Sequence, residues 1–145
     1  MTIGQKIKYI RSLRGLTQSE LGTMLGFTDS FAKQRISQYE SGYRIPKGKA
    51  ILTLANALGV SESFFVNHHM ETEECIVQLL FDLERTCSME LVQIDKKNDI
   101  YGISFKDDII NEVLKEWCEK QKLMKSGEIS ETDYALWQAK FSTKE

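Results

Sequence analysis

Apolar side chains along this chain recur mostly every three to four residues, in short runs separated by turn-forming residues, which predicts a set of short amphipathic helices. Ile3, Ile7, Ile10 and Leu13 form one inner stripe. Thr2, with Gln5 three residues on, has the spacing of a capping box, so a helix is expected from about Ile3 to Arg14. Thr17 and Glu20 repeat that spacing ahead of Leu21, Met24 and Leu25, starting a second helix at about Gln18. Gly22 lies inside this helix on its inner side, where glycine costs roughly 1 kcal/mol relative to alanine. A close helix crossing is the physical reason to keep it there. Gly26 closes the second helix, and Thr28, Asp29 and Ser30 offer three N-caps for a third, whose Ala32, Ile36 and Tyr39 fall at i, i+4 and i+7. A fourth helix from about Lys47 to Leu58 buries Ile51, Leu54, Ala55 and Leu58. A short fifth, Glu62 to Val66, carries Phe64 and Phe65.

Beyond Val66 the pattern changes. A linker spans 67–72, followed by a helix from about Glu73 to Arg85 with Ile76, Val77, Leu79, Leu80 and Leu83 on a broad apolar face. Glu90 to Ile94 and Ile100 to Phe105 flank the turn DKKND and read as a β-hairpin. Such a pair is marginal alone in water, so it must lie against helices or pair with another chain. A helix from about Asp108 to Met124 repeats Ile109, Ile110, Val113, Leu114, Trp117 and Cys118 on one side, and Gly127 breaks it. The last helix, Ser130 to Phe141, presents Tyr134, Trp137 and Phe141. A local core, dimer contacts or an effector pocket would each use such a cluster. The expected fold is mainly α, with five helices over 1–66, a linker at 67–72, and a small α+β domain at 73–145 made of a helix, a β-hairpin and two helices.

The stretch Leu16 to Pro46 combines two capped helices with a glycine turn between them, the spacing of a helix-turn-helix. The polar face of its second helix carries Lys33, Gln34, Arg35, Ser37 and Gln38, long or hydrogen-bonding groups with no acid among them. On an isolated helix this would simply be a solvated face. Here it is joined by Gln18, Leu21, Gly22, Leu25 and Gly26 upstream, by ISQYESG (Ile36 to Gly42), by Arg44 and Pro46, and by a helix ending in LGVS. Together these resemble the Cro/CI-type (lambda-repressor-like, XRE family) DNA-binding domain over roughly residues 1–66. The resemblance implies that Lys33, Gln34 and Gln38, with Arg35 and Ser37 beside them, face base edges of double-stranded DNA. It implies also that Thr17, Gln18, Tyr43, Arg44 and Lys47 lie near the sugar-phosphate backbone. The chemistry fits, since glutamine can donate and accept in one plane toward adenine while arginine and lysine reach the two guanine acceptors. One departure stands out: Gly26 and Ile36 are separated by roughly one helical turn (about four residues) more than the family usually has. The surplus, around Thr28 to Phe31, lengthens either the turn or the helix.

Charge sharpens this division. The 145 residues carry a net charge of −2, but residues 1–66 hold nine bases and four acids, a net of +5, leaving −7 for the remainder. Such asymmetry points to a nucleic-acid-binding part joined to a part with another task. No run approaches the roughly 18 apolar residues of a membrane span, and the start MTIGQKIKYI reads as an amphipathic helix rather than a signal peptide, so a cytoplasmic protein is expected. Cys75, Cys87 and Cys118 are odd in number and widely spaced, which argues for reduced thiols rather than a zinc site or disulfide framework. His68 and His69 are adjacent and so cannot ligate one metal from one helix face. Neither a metal nor another cofactor is expected. With 41% hydrophobic and 28% charged residues, the chain has ordinary globular composition. It lacks a phosphate-binding glycine loop, a nucleophile elbow and an HExxH, and Glu112, Glu116 and Glu119 read as a solvated face rather than catalytic acids. A non-enzymatic regulator is expected: a bacterial or phage-type homodimeric repressor on a two-fold operator, with residues 70–145 holding the dimer and a protein or small-molecule effector as a candidate partner. The alternative is an antitoxin-like or partner-controlled regulator, whose acidic half is a protein-interaction module.

Overall fold

A computed structural model describes residues 1–66 and 72–142. The helices are α1 (Ile3–Leu13), α2 (Gln18–Met24), α3 (Asp29–Glu40), α4 (Lys49–Leu58), α5 (Glu73–Cys87), α6 (Asp108–Ser126) and α7 (Glu131–Lys140). A 3-10 turn, Glu62–Phe65, follows α4, and strands β1 (Met89–Asp95) and β2 (Ile100–Phe105) lie between α5 and α6. His68 and His69 lie outside the described residues, as does most of the 67–72 linker. The mainly helical architecture and the element order agree with the pattern of the sequence.

The chain divides into two compact units, Met1–Asn67 with Ser130–Glu145, and His68–Ile129. This differs from a second domain running from 73 to 145, because α7 packs with the N-terminal helices. Ala139 is fully buried in one core with Ile7, Ile10, Leu21, Ile36, Leu54, Ala55, Leu58 and Phe65, and Leu136 packs against that core. The Ser61 N–H donates to the Ala139 carbonyl at 2.9 Å. Periodicity identifies the apolar side of a helix but not the surface it covers. Tyr134 and Trp137 stack on α7 at 5.9 Å between ring centroids. Ser130–Glu145 adds three acids and two bases to the first unit, so that unit carries +4 and the second −6.

Local chemistry fixes the first unit's helix starts. Both capping boxes are formed: Thr2 with Gln5, and Thr17 with Glu20. The backbone N–H of Thr17, and then its hydroxyl, hold the Glu20 carboxyl below its ordinary pKa. Gly26 closes α2 with a left-handed φ of +82°, and the Phe27 N–H returns to the Gly22 carbonyl at 3.1 Å. Helix α3 then begins at once, at Asp29, after Thr28 as N-cap. The surplus residues therefore lengthen α3 by an N-terminal turn rather than the loop before it. Just after that added turn α3 packs tightly on α2, where a Cβ on Gly22 would lie 2.6 Å from the Ala32 carbonyl oxygen. This is the close crossing expected at Gly22.

The second unit is built differently. β1 and β2 pair antiparallel, with Met89 opposite Phe105, Leu91 opposite Ile103 and Gln93 opposite Tyr101, and a register shift lies between Gln93 and Asp95. The Asp95 carboxylate organises the turn by accepting from the Lys97 N–H at 2.8 Å and the Asn98 amide at 2.7 Å. Among the unit's described residues only Met89 is a buried hydrophobic, at 5% exposure. Ile76, Val77, Leu91, Val92, Ile94, Tyr101, Ile103 and Ile109 are all exposed.

Replacing Ala139 with glutamate should place a carboxylate in the first unit's core and cost on the order of 3 kcal/mol or more. Thermal unfolding of the full chain should show a lower Tm for Ala139→Glu. An unchanged Tm would mean that α7 does not contribute to that core.

Candidate nucleic-acid interface

The end of α3 is held by one carboxylate. Glu40 accepts from Arg11 Nε at 2.5 Å and Nη2 at 3.2 Å, and from the Gln18 side-chain amide at 2.8 Å. Arg11 Nη1 also donates to the Leu16 carbonyl at 2.6 Å. Glu40 thus ties α1, the α1–α2 connection and the first residue of α2 to the end of α3. The two charged side chains are 13% and 5% exposed, so the pair is largely out of water. Helix α3 is capped at Ser41, and the Arg44 N–H turns back to the Gln38 carbonyl at 3.0 Å, which brings the segment after the helix alongside it.

The outward side of α3 is built on this support. Phe31, Gln34, Arg35 and Gln38 stand at i, i+3, i+4 and i+7 and, with Arg44, line one shallow concavity. Gln34 is exposed, while Arg35 and Gln38 are half-buried at its walls. The Arg35 guanidinium lies 5.5 Å over the Phe27 ring, which limits the directions it can take. Lys33 and Ser37 are exposed on α3 but do not line the concavity. Asp29, the acid in the first turn, is turned toward Thr23, whose hydroxyl donates to it at 3.4 Å.

The flanking candidates fall into two groups. Tyr43, Arg44 and Lys47 are exposed, with Tyr43 at 78%. Thr17 and Gln18 are already engaged: the Thr17 hydroxyl accepts from the Glu20 N–H at 3.1 Å, and Gln18 donates one amide hydrogen to Glu40. A carboxamide nitrogen carries two hydrogens, so Gln18 retains one further donor. Sequence reasoning missed the roles of three residues here. Arg11 and Glu40 are 29 positions apart, and no local spacing relates them. Phe31 could have been found, since it shares the helical spacing of Gln34, Arg35 and Gln38.

Residues 7–65 match the helix-turn-helix family model. This part of the chain is a DNA-binding domain of the helix-turn-helix class. Within that class it is of the Cro/CI (XRE) type, and the match does not extend to the rest of the chain. No curated protein gives a match to the chain. Among the described residues, no helix is long and apolar enough to cross a membrane.

Removing the carboxylate with Glu40→Ala should leave the Arg11 charge largely buried without its partner and cost about 3–5 kcal/mol. Chemical denaturation would measure this. The double variant Arg11→Ala, Glu40→Ala should lose less than the sum of the single variants, whereas strict additivity would show that the two side chains do not act as a pair.

Proposed function

We propose that this chain is a sequence-specific transcriptional regulator, a non-enzymatic cytoplasmic repressor that binds a two-fold symmetric operator as a homodimer. The observation that carries the reading is the outward stripe of α3, where Gln34, Arg35 and Gln38 line one concavity with Arg44 on a helix whose end is anchored by Glu40. In this reading Gln34 and Gln38 meet base edges with Arg35, and Lys33 and Ser37 lie beside them. Tyr43, Arg44 and Lys47, with Thr17 and Gln18 at the start of α2, lie near phosphates. Phosphate contacts set register and orientation, while base contacts discriminate sequence. Repression follows from occupying DNA that polymerase needs. Gln34→Ala or Gln38→Ala should lower affinity for operator selected from random DNA by roughly 1–3 kcal/mol and leave non-specific binding nearly unchanged. Arg44→Ala and Lys47→Ala should weaken binding to all sequences and flatten its salt dependence. Equal losses on operator and random DNA for the glutamine variants would defeat the base-reading assignment.

Self-association is supported by the second unit. A hairpin and two helices with one buried hydrophobic among the described residues leave Leu91, Tyr101 and Ile103 in water on one face of the hairpin, and a second copy would cover them. A dimer also suits a helix-turn-helix, because two half-sites about one helical turn (roughly 34–36 Å) apart multiply what one short helix can read. The chain should sediment at twice 16.7 kDa. Leu91→Lys, at a site 69% exposed, should sediment as a monomer that keeps non-specific DNA binding and loses operator affinity. The same exposed surface, on a unit of charge −6, also supports the second reading, an antitoxin-like or partner-controlled regulator. A monomer that aggregates until a neighbouring gene product is co-expressed would favour that reading.

A further inference from the structure

The added turn of α3 places an aromatic ring on the same stripe as the amides. Phe31 is 59% exposed and lines the concavity of Gln34, Arg35, Gln38 and Arg44. Single exposed apolar residues are ordinary on protein surfaces and by themselves mean little. What distinguishes Phe31 is its position: it stands one turn ahead of Gln34 and Arg35 on the helix whose outward side carries the polar groups. On the major-groove edges of base pairs almost every group is a hydrogen-bond donor or acceptor, and the apolar exception is the thymine C5-methyl. A phenyl ring entering that groove has one complementary feature to meet.

We propose that Phe31 is a specificity-determining residue that packs on a thymine methyl group within each half-site. This rests on the reading of α3 as the helix that enters the major groove. Phe31 and Gln34 are three positions apart, about 4.5 Å along the helix axis, comparable to one base step of about 3.4 Å. The thymine therefore lies about one base pair from the pair that Gln34 meets, toward the N-terminal end of α3. The surplus turn extends the sequence read by each half-site by a position, through apolar contact rather than a hydrogen bond. Asp29, in the same turn, is drawn toward Thr23 of α2, so its carboxylate does not share the stripe with Phe31.

Methyl deletion on the DNA tests this directly. Operator is first selected from random DNA with the full chain, and each thymine is then replaced in turn by deoxyuridine, which removes the methyl and keeps the Watson–Crick edge. Burial of one methyl is equivalent to about a fourfold change in affinity. One thymine per half-site should show about that loss with the natural chain and no loss with Phe31→Ala, while Phe31→Leu keeps part of it. Phe31→Ala should retain the Tm and sedimentation of the natural chain, since the ring is exposed. Undiminished thymine-over-deoxyuridine discrimination by Phe31→Ala at every position would overturn the assignment, and so would its loss of affinity through a change in oligomeric state. Failure of the selection to enrich any sequence would instead overturn the underlying base-reading assignment, and the role of Phe31 with it.

Discussion

Everything the first unit presents to a ligand depends on where one carboxylate sits. Glu40 takes two hydrogen bonds from Arg11 and one from Gln18, and Arg11 also caps the Leu16 carbonyl. A buried ion pair is weak evidence for net stability, because the desolvation cost can equal the attraction. Its value here is directional. A guanidinium fork and a carboxylate meet in one plane, so a rotation or slide of α3 against α1 would break both bonds at once. Hydrophobic contacts among Ile7, Ile10, Leu21 and Ile36 are non-directional and would tolerate such a slide. The core supplies cohesion, and the Glu40 network fixes the angle at which Gln34 and Gln38 are offered.

The two units solve the problem of stability in different ways. The first gathers apolar side chains from α1 to α4, the 3-10 turn and α7 into one core, and α3 packs its Ala32 backbone closely against Gly22. The second keeps its strands together through ladder bonds and the Asp95 turn, with Met89 as its buried hydrophobic among the described residues. Lys106 and Glu90 pair at its surface, and the carboxylate raises the lysine pKa. An exposed pair of this kind contributes little, so it does not substitute for a core. The second unit carries a net charge of −6 and the first +4, so the two present opposite signs to any charged ligand.

Local features were legible in the sequence, and features joining distant segments were not. The capping boxes at Thr2 and Thr17 and the hairpin around DKKND could be seen because each is defined within a few residues. Gly22 was legible for a related reason, since a glycine inside a helix needs a steric cause. The start of α3 was ambiguous because Thr28, Asp29 and Ser30 can all cap, and in the fold Thr28 takes the N-cap position. The fork between Arg11 and Glu40 could not be seen, because two charges of opposite sign are common in any helical domain. The docking of α7 escaped for the same reason. Its apolar residues suit any apolar surface, and only the fold brings Ala139 into the core of the first unit, beside α1, rather than to α6. The family resemblance supplied the polar face of α3 but not Phe31, which lies in the segment where this chain departs from the family.

Because α7 belongs to the first unit, the second unit is an insertion between two parts of the DNA-binding unit rather than a tail. Its polypeptide is joined to the first unit at both ends, near Asn67 and near Ser130. A tail tethered at one end can be displaced without strain on the domain before it. An insertion is fastened by the chain at both ends. One exit leads directly into α7, whose Leu136 and Ala139 are packed into the same core as Ile36 of α3. Within the first unit, the core that takes up α7 is thus the same core that backs the helix carrying Phe31, Gln34 and Gln38.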